Sequence, residues 1–316
     1  MSEFGWSSTT DDVLSGKDLS DKTVFVTGGN SGLGLETGRA MAAKGAHVVL
    51  LGRTQAKVDQ AVATIKAEQQ DADAETITCD LSSLDSVREC GREANERFEK
   101  IDILINNAGV MACPFSKTAD GFEMQFGTNH IGHFTLTKEL MPLIEAGSNK
   151  RVINLSSRGH HIGPANLDDP NFESSSYEPW LSYGQSKTAN VLFSVGLDDR
   201  FASKGIRSYA VHPGGIDTNL GRHLSEEQAA ALMERVTTSD PGFQWKTVPQ
   251  GAATSVWAAT AEELDGKGGV YCEDCHVADI DDEASNKGVR SYALDKESAD
   301  RLWAISEEMI GESFSA

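Results

Sequence analysis

The chain lacks any run of eighteen or more apolar residues, so no segment of it reads as a membrane-spanning helix. It is also short of positive charge: 28 Lys and Arg face 48 Asp and Glu, a formal charge of −20. That deficit argues against nucleic acid and anionic lipid surfaces, both of which need basic patches. Cysteines are few and odd in number, namely Cys79, Cys90, Cys113, Cys272 and Cys275. Without a secretion signal, five such residues do not make a disulfide framework. The polar start, Met1 to Asp21, with Phe4 and Trp6 isolated, resembles neither a signal peptide nor an anchor. No internal repeat, low-complexity tract or convincing linker is present. With 316 residues and 39% hydrophobic content, the expectation is a single soluble, cytoplasmic α/β domain spanning 1–316.

Glycine, by contrast, is placed with purpose. Thr23-Val24-Phe25-Val26 is a short β-rich apolar run, and 33–44 reads as a helix stopped by Gly45. Between them lies Thr27-Gly28-Gly29-Asn30-Ser31-Gly32-Leu33-Gly34. Glycines at a strand-to-helix turn let the backbone approach a ligand, and the helix's unpaired N–H groups attract a pyrophosphate. A second apolar strand, 46–51, completes a βαβ unit.

Further along, the pattern alternates: helix 54–69, strand 75–79, helix 84–98, strand 101–105, a long helix 121–144, strand 151–155, helix 182–201 and strand 206–211. Alternation of this kind, with nearly continuous apolar strands, predicts a doubly wound Rossmann domain. Its sheet would be mostly parallel and seven-stranded, with helices on both faces. Residues 1–20 form an N-terminal arm, 219–247 a candidate substrate lid and 276–316 a C-terminal extension.

A second constellation adds chemistry to the nucleotide site. Tyr183 and Lys187 lie four apart on one face of the 182–201 helix. A free tyrosine titrates near ~10 and is a poor base at neutral pH. A nearby ammonium favours the phenolate and should lower that value, so the pair could pass a proton to or from a carbinol oxygen. An isolated Tyr-x-x-x-Lys is more commonly a surface helix pair; here it follows a glycine turn.

Taken together, these residues resemble the short-chain dehydrogenase/reductase family over about 19–271. Gly28, Asn30, Ser31, Gly32, Leu33 and Gly34 look like its phosphate-binding turn, and Asp80-Leu81 like its adenine contact. Asn106-Asn107-Ala108-Gly109 is similar to the family sequence that supports the central strand, with Asn107, Ala108 and Gly109 beside the cofactor. Asn129, Ser157, Tyr183 and Lys187 match the catalytic tetrad. Pro213, Gly214, Ile216 and Thr218 resemble the segment holding the nicotinamide carboxamide. Within the family, the nearest likeness is to retinol dehydrogenase-like members, on 106–111, 129–134, 183–190 and the insertion carrying Asp168-Asp169-Pro170-Asn171. Those members are often membrane-bound, and this chain departs from them there.

The resemblance implies roles. Tyr183 is the general acid/base, and Lys187 lowers its pKa and hydrogen-bonds the nicotinamide ribose. Ser157 holds the substrate oxygen, and Asn129 links Lys187 to solvent through water. Ser156 and Ser157 should point oppositely at a strand end, leaving Ser156 to satisfy backbone groups. The second strand ends Leu51-Gly52-Arg53 with no acid for a ribose 2′-hydroxyl. An arginine fork suits a 2′-phosphate, which predicts NADP, with NAD as the alternative. The bland reading of Arg53 is a solvated loop residue.

Other features read as structural. Cys272-x-x-Cys275-His276 matches a haem-attachment pattern only formally, and no second ligand pair completes a zinc site. His130, His133, His160 and His161 lack an acidic partner set, so no metal is expected. In 219–247, Ser225 to Gln228 reads as a capping box. Leu232, Met233, Phe243 and Trp245 could lid a pocket for a lipophilic or aromatic carbonyl or alcohol. A C-terminal amphipathic helix with Leu302 and Trp303 packs either on the domain or on a second subunit, which leaves a homo-oligomer open. Two rivals stand beside an NADP-dependent carbonyl reductase or alcohol dehydrogenase. One is a silent nucleotide-binding sensor. The other is a light-dependent double-bond reductase of the protochlorophyllide type, which uses an extra cysteine near the substrate loop; this chain has none between Cys113 and Cys272.

Overall fold

The computed structural model describes residues 3–221 and 224–315; residues 222 and 223 of the expected lid lie outside the described residues. Seven apolar runs become parallel strands: β1 (Thr23–Thr27), β2 (His47–Gly52), β3 (Ala74–Thr78), β4 (Ile103–Asn106), β5 (Arg151–Leu155), β6 (Arg207–His212) and β7 (Val270–Glu273). They hydrogen-bond in the order β3-β2-β1-β4-β5-β6-β7. Such strands need cover on both faces, and they receive it.

The helices are α1 (Thr10–Val13), α2 (Gly32–Ala42), α3 (Gln55–Glu68), α4 (Leu84–Arg97), α5 (Met124–Phe126), α6 (Gly132–Ala146), α7 (Pro179–Phe201), α8 (Glu226–Ser239), α9 (Val248–Thr260) and α10 (Lys296–Ile310). One core lies between the sheet and α4, α6, α7 and α10, through Val87, Phe134, Phe193 and Trp303. The other joins α1, α2, α3 and α9 to the opposite face, through Val13, Met41, Ile65 and Trp257. No helix among the described residues is long and apolar enough to cross a membrane.

Two expectations are revised, and both ends of the chain gain detail. The sheet has eight strands, because β8 (His276–Val277) pairs antiparallel with β7. The two residues between them, Asp274 and Cys275, have φ of +47° and +57°. That is the signature of a two-residue primed turn, whose twist suits a hairpin. The helix expected over 121–144 starts only at Met124, and its next residues, Gly127–Ile131, form a π turn before α6. Hydrophobic periodicity does not report a π turn, because tertiary packing decides where the extra residue is absorbed. The N-terminal arm is also partly ordered: a Thr9–Asp12 capping box starts α1, which packs on α9. As for the C-terminal helix, it packs on the domain itself, with Leu302 and Trp303 buried beside Phe193 and Phe201 of α7.

Candidate active site

Strand order reverses between β1 and β4, and this opens a crevice at the sheet's carboxyl edge. The β1–α2 turn enters it in a shape only glycine allows. Gly28 has φ +64°, and a Cβ there would sit 3.0 Å from the Ala108 Cα. At Gly34 a Cβ would lie 2.5 Å from both the Asn107 Nδ2 and the Gly28 carbonyl oxygen. Asn107 donates from Nδ2 to the Thr27 carbonyl at 2.7 Å, so the β4 loop braces the turn. Ser31 is the N-cap of α2, yet its side chain makes no capping bond. The first N–H groups of α2 are thus not capped by it and suit an anion.

The remaining predicted cofactor residues surround this turn. Gly32, at φ +55°, looks toward Thr218, and Gly251 brings Leu33 and Ile216 together. A Cβ on Gly52 would be 3.3 Å from the Asn30 Oδ1, so the end of β2 abuts the turn. Arg53 is exposed and, among the described residues, makes no hydrogen bond or ion pair. The Asp80 Oδ1 accepts from the Ser82 N–H at 3.0 Å and the Ser82 hydroxyl at 2.7 Å. Leu81 is buried against Gly132. Beyond β6, Pro213 leads into Gly214 (φ +96°), which stands over the stem of Lys246, and Ile216 bridges Lys246 in parallel. An uncapped helix start, a close-approach turn and an unpaired guanidinium fit a dinucleotide phosphate chain.

Next to this crevice α7 brings Tyr183 and Lys187 to one place, both 4% exposed. The Lys187 Nζ is 5.7 Å from the Tyr183 ring centroid and donates to the Leu155 carbonyl at 3.0 Å. A Cβ on Gly159 would meet the Tyr183 ring at 2.8 Å and the Ser157 Oγ at 3.4 Å, so phenol and hydroxyl share one corner. Ser156 points the other way and donates to the Lys187 carbonyl at 2.8 Å, tying β5 to α7. Asn129 lies in the π turn. Its Nδ2 donates to the Val110 carbonyl and the Ser186 Oγ, both at 2.9 Å, and its Oδ1 accepts from the Val110 N–H at 2.8 Å. Its side chain is therefore committed to neighbours. A Cβ on Gly109 would sit 3.2 Å from the Asn129 Oδ1 and 3.6 Å from the Lys187 Nζ, which marks how closely the four residues gather.

The electrostatics depart from expectation. Burial raises the Tyr183 phenol to about 12, only partly opposed by hydrogen bonding to Ser157. Burial also lowers the Lys187 ammonium to about 8. Loss of water, and not the lysine, sets the direction of the phenol's shift here. Tyr183 therefore stands as a protonated acid at neutral pH.

Sequence reasoning missed several participants. His212, at the end of β6, accepts at Nδ1 from the N–H groups of Arg158 (3.3 Å) and Gly214 (3.4 Å), and so links the Ser157 loop to the segment after β6. Trp180 packs edge-on to Tyr183, with ring centroids 6.1 Å apart. The C-terminal extension reaches the Ser157 loop through Arg290 and Tyr292. The links of His212 to Arg158 and of Arg290 and Tyr292 to His160 carry no local signal, since those partners are 54 to 132 residues apart.

At the candidate lid, the Ser225–Gln228 capping box forms and starts α8. Leu232, Met233 and Phe243 are half-buried, Trp245 is 46% exposed, and the rings of Phe243 and Trp245 meet edge-on at 5.0 Å. Cys272 in β7 and Cys275 in the β7–β8 turn are buried, and burial raises both thiols. Among the described residues no three His, Cys, Asp or Glu side chains converge to hold a metal.

Known proteins share this arrangement. Residues 22–229 match the model of the short chain dehydrogenase family. The short-chain dehydrogenase/reductase prx1 of Penicillium roqueforti is 39% identical over 309 residues, 95% of this chain and 89% of that protein. Human retinol dehydrogenase 13 is 40% identical over 293 residues, covering 92% and 85%. A crystal structure of an uncharacterized protein from Mycobacterium Paratuberculosis superimposes with a TM-score of 0.74 at 33% identity, over 98% of this chain and all of that one. With a matching family model, relatives this similar along most of its length and the glycine turn in place, the chain belongs to the short-chain dehydrogenase family of nicotinamide-dependent oxidoreductases.

Proposed function

We propose that the protein interconverts a carbonyl and an alcohol on a lipophilic or aromatic substrate, prefers NADP, and uses Tyr183 as the general acid/base. One observation carries the reading: Tyr183, Ser157 and Lys187 meet at one buried corner beside the glycine turn. When bound, the nicotinamide supplies or accepts the hydride. The residues of the chain handle the proton. The Ser157 hydroxyl donates a hydrogen bond to the substrate oxygen and holds it beside the phenol. In reduction the Tyr183 hydroxyl gives its proton to that oxygen, and the resulting phenolate is stabilised by the Lys187 ammonium. In oxidation the same phenolate takes the hydroxyl proton, so this direction depends more heavily on Lys187 being charged.

Arg53 supports the NADP preference, since it is exposed beside the glycine turn and free to pair with a 2′-phosphate. The half-buried Leu232 and Met233 of α8, and the Phe243–Trp245 ring pair beside Gly215, support an apolar substrate. The test is to follow NADPH absorbance with a panel of aliphatic and aromatic ketones and aldehydes. Turnover with NADPH, falling by about tenfold or more relative to NADH in Arg53→Asp, is expected from losing one charged phosphate contact. An unchanged NADPH/NADH ratio removes the cofactor assignment. Tight NADPH binding without turnover of any carbonyl moves the reading to a nucleotide-binding sensor.

A further inference from the structure

The backbone carbonyls of Asn129 and Ser157 are each taken by a buried imidazole, and the two imidazoles are wired alike. The His133 Nδ1 lies 2.9 Å from the Asn129 carbonyl oxygen. A carbonyl only accepts, so the proton sits on Nδ1 and Nε2 is left as an acceptor. Nε2 then receives the Thr27 hydroxyl at 2.8 Å, and the Thr27 Oγ1 itself accepts the Ala108 N–H at 2.9 Å. One imidazole thus joins the π turn to the glycine turn and to the loop after β4. His160 repeats the pattern. Its Nδ1 donates to the Ser157 carbonyl at 2.7 Å, and its Nε2 accepts the Arg290 N–H at 3.2 Å. The Tyr292 hydroxyl donates to the His160 carbonyl at 2.5 Å, which anchors the loop a second time to the C-terminal extension.

Both side chains are almost wholly out of solvent, at 1% and 0% exposure. Burial lowers His133 to about 4 and His160 to about 3, so each is neutral at working pH and keeps one donor and one acceptor nitrogen. A charged imidazole would have two donors and would break the link at Nε2.

We propose that His133 and His160 are positioning residues for the reaction, fixing the backbone under Asn129 to the dinucleotide turn and the backbone under Ser157 to the C-terminal extension. The inference rests on the enzymatic reading above and adds to it that residues 288–292 are part of the active-site scaffold. Neither imidazole is placed to touch substrate. Their effect is on where the hydroxyl and the π turn sit, and a misplacement on the order of 1 Å can cost ~10²-fold in rate.

The test uses the geometry of amide isosteres. The asparagine amide nitrogen stands where Nδ1 does, whereas the glutamine amide reaches toward Nε2. His160→Asn therefore keeps the donor to Ser157 and gives up Arg290, while His160→Gln does the reverse. We expect kcat for carbonyl reduction to fall by about 10–100-fold in His160→Gln and by about 3–10-fold in His160→Asn, which gives up only the far support, and KM for NADPH to hold in both. For His133 the same split is expected in kcat. In addition the NADPH Kd should rise by about tenfold in His133→Asn, because the Thr27 hydroxyl loses its acceptor. Melting temperatures are measured alongside. Asn and Gln variants with equal kcat at wild-type stability overturn the proposal, as does a loss of rate that merely follows the loss of stability. If a Gln variant does not fold, Thr27→Val and Tyr292→Phe withdraw the far supports instead; about 3–10-fold lower kcat is expected, and no change overturns the proposal. Wild-type NADPH binding with no turnover is a different failure, because it removes the enzymatic reading itself.

Discussion

Two helices of the chain, α7 and α8, are built on opposite rules. In α7, 17 of 23 residues are buried, polar ones included: Ser182, Gln185, Ser186, Lys187, Asn190 and Ser194 all lie inside. The Ser186 hydroxyl bonds the π turn and α7's own backbone, the Asn190 amide nitrogen bonds β5, and the Ser194 hydroxyl bonds α7's backbone. In α8 none of residues 226–234 and 236–238 is buried, and none of them belongs to a hydrophobic core. It is held at its start by the Ser225–Gln228 box and near its end by an Arg158–Asp240 ion pair at 3.8 Å. On the function proposed above, the contrast separates two tasks. Groups that move protons must be held within fractions of an ångström, so they sit on an over-determined element. Groups that select a substrate must yield to it, so they sit on a weakly anchored one.

The contrast can be broken most forcefully at the phenol. Tyr183→Phe should lower kcat by about 10²–10⁴-fold with NADPH affinity little changed, read by steady-state kinetics beside a binding titration. A variant retaining a tenth or more of wild-type activity would remove Tyr183 from its role. Packing is the next lever. Phe193→Ala, in the aromatic cluster of α7 with Phe134 and Trp303, should cost about 3–5 kcal/mol in denaturant unfolding. Leu232→Ala in α8 should cost under about 0.5 kcal/mol while raising KM for an apolar substrate severalfold. Equal costs would mean that α8 is as integrated as α7.

Acid sharpens the comparison further. His130, His133 and His160 are held neutral by burial, at about 3, 4 and 3, whereas an unfolded chain titrates them near 6.5. Between about pH 4 and 6.5 the unfolded state binds more protons, so stability is full above 6.5 and declines as pH falls through this window. A melting temperature that drops from pH 7 to pH 5, with hydrogen exchange rising first in the π turn and the Ser157 loop, is the expected outcome. A flat profile would mean that those imidazoles are not buried neutral. The smallest effect is at the cap: Ser225→Ala should loosen α8 by about 1 kcal/mol, seen as faster exchange there and no shift in global melting.

Much of this was legible because its signals are local. The glycine turn, the i,i+4 spacing of Tyr183 and Lys187, the Asn-Asn-Ala-Gly run after a strand and the Ser225 capping box each declare themselves within a few residues. The parallel order followed from strand–helix alternation. What the sequence concealed is set by distance. The π turn at Asn129 depends on how α5 packs, and the roles of His133, His160 and His212 depend on partners 54 to 130 residues away. The phenol's upward shift follows from burial, which a spacing argument between Tyr183 and Lys187 leaves out. The eighth strand was overlooked because Asp274-Cys275 is an unusual pair for a primed turn, which glycine and asparagine normally occupy.

That short final strand has a consequence for how copies of the chain can meet. At one border of the sheet β8 offers only two residues of pairing, His276 and Val277. At the other border the Arg97 guanidinium takes the Thr76 carbonyl of β3 at 3.1 Å, and Glu75 lies beside it in an ion pair. A neighbouring polypeptide seeking to extend the ladder finds no long row of bare amides on either flank. Strand addition is therefore limited to two residues at β8 and meets the Arg97 side chain at β3.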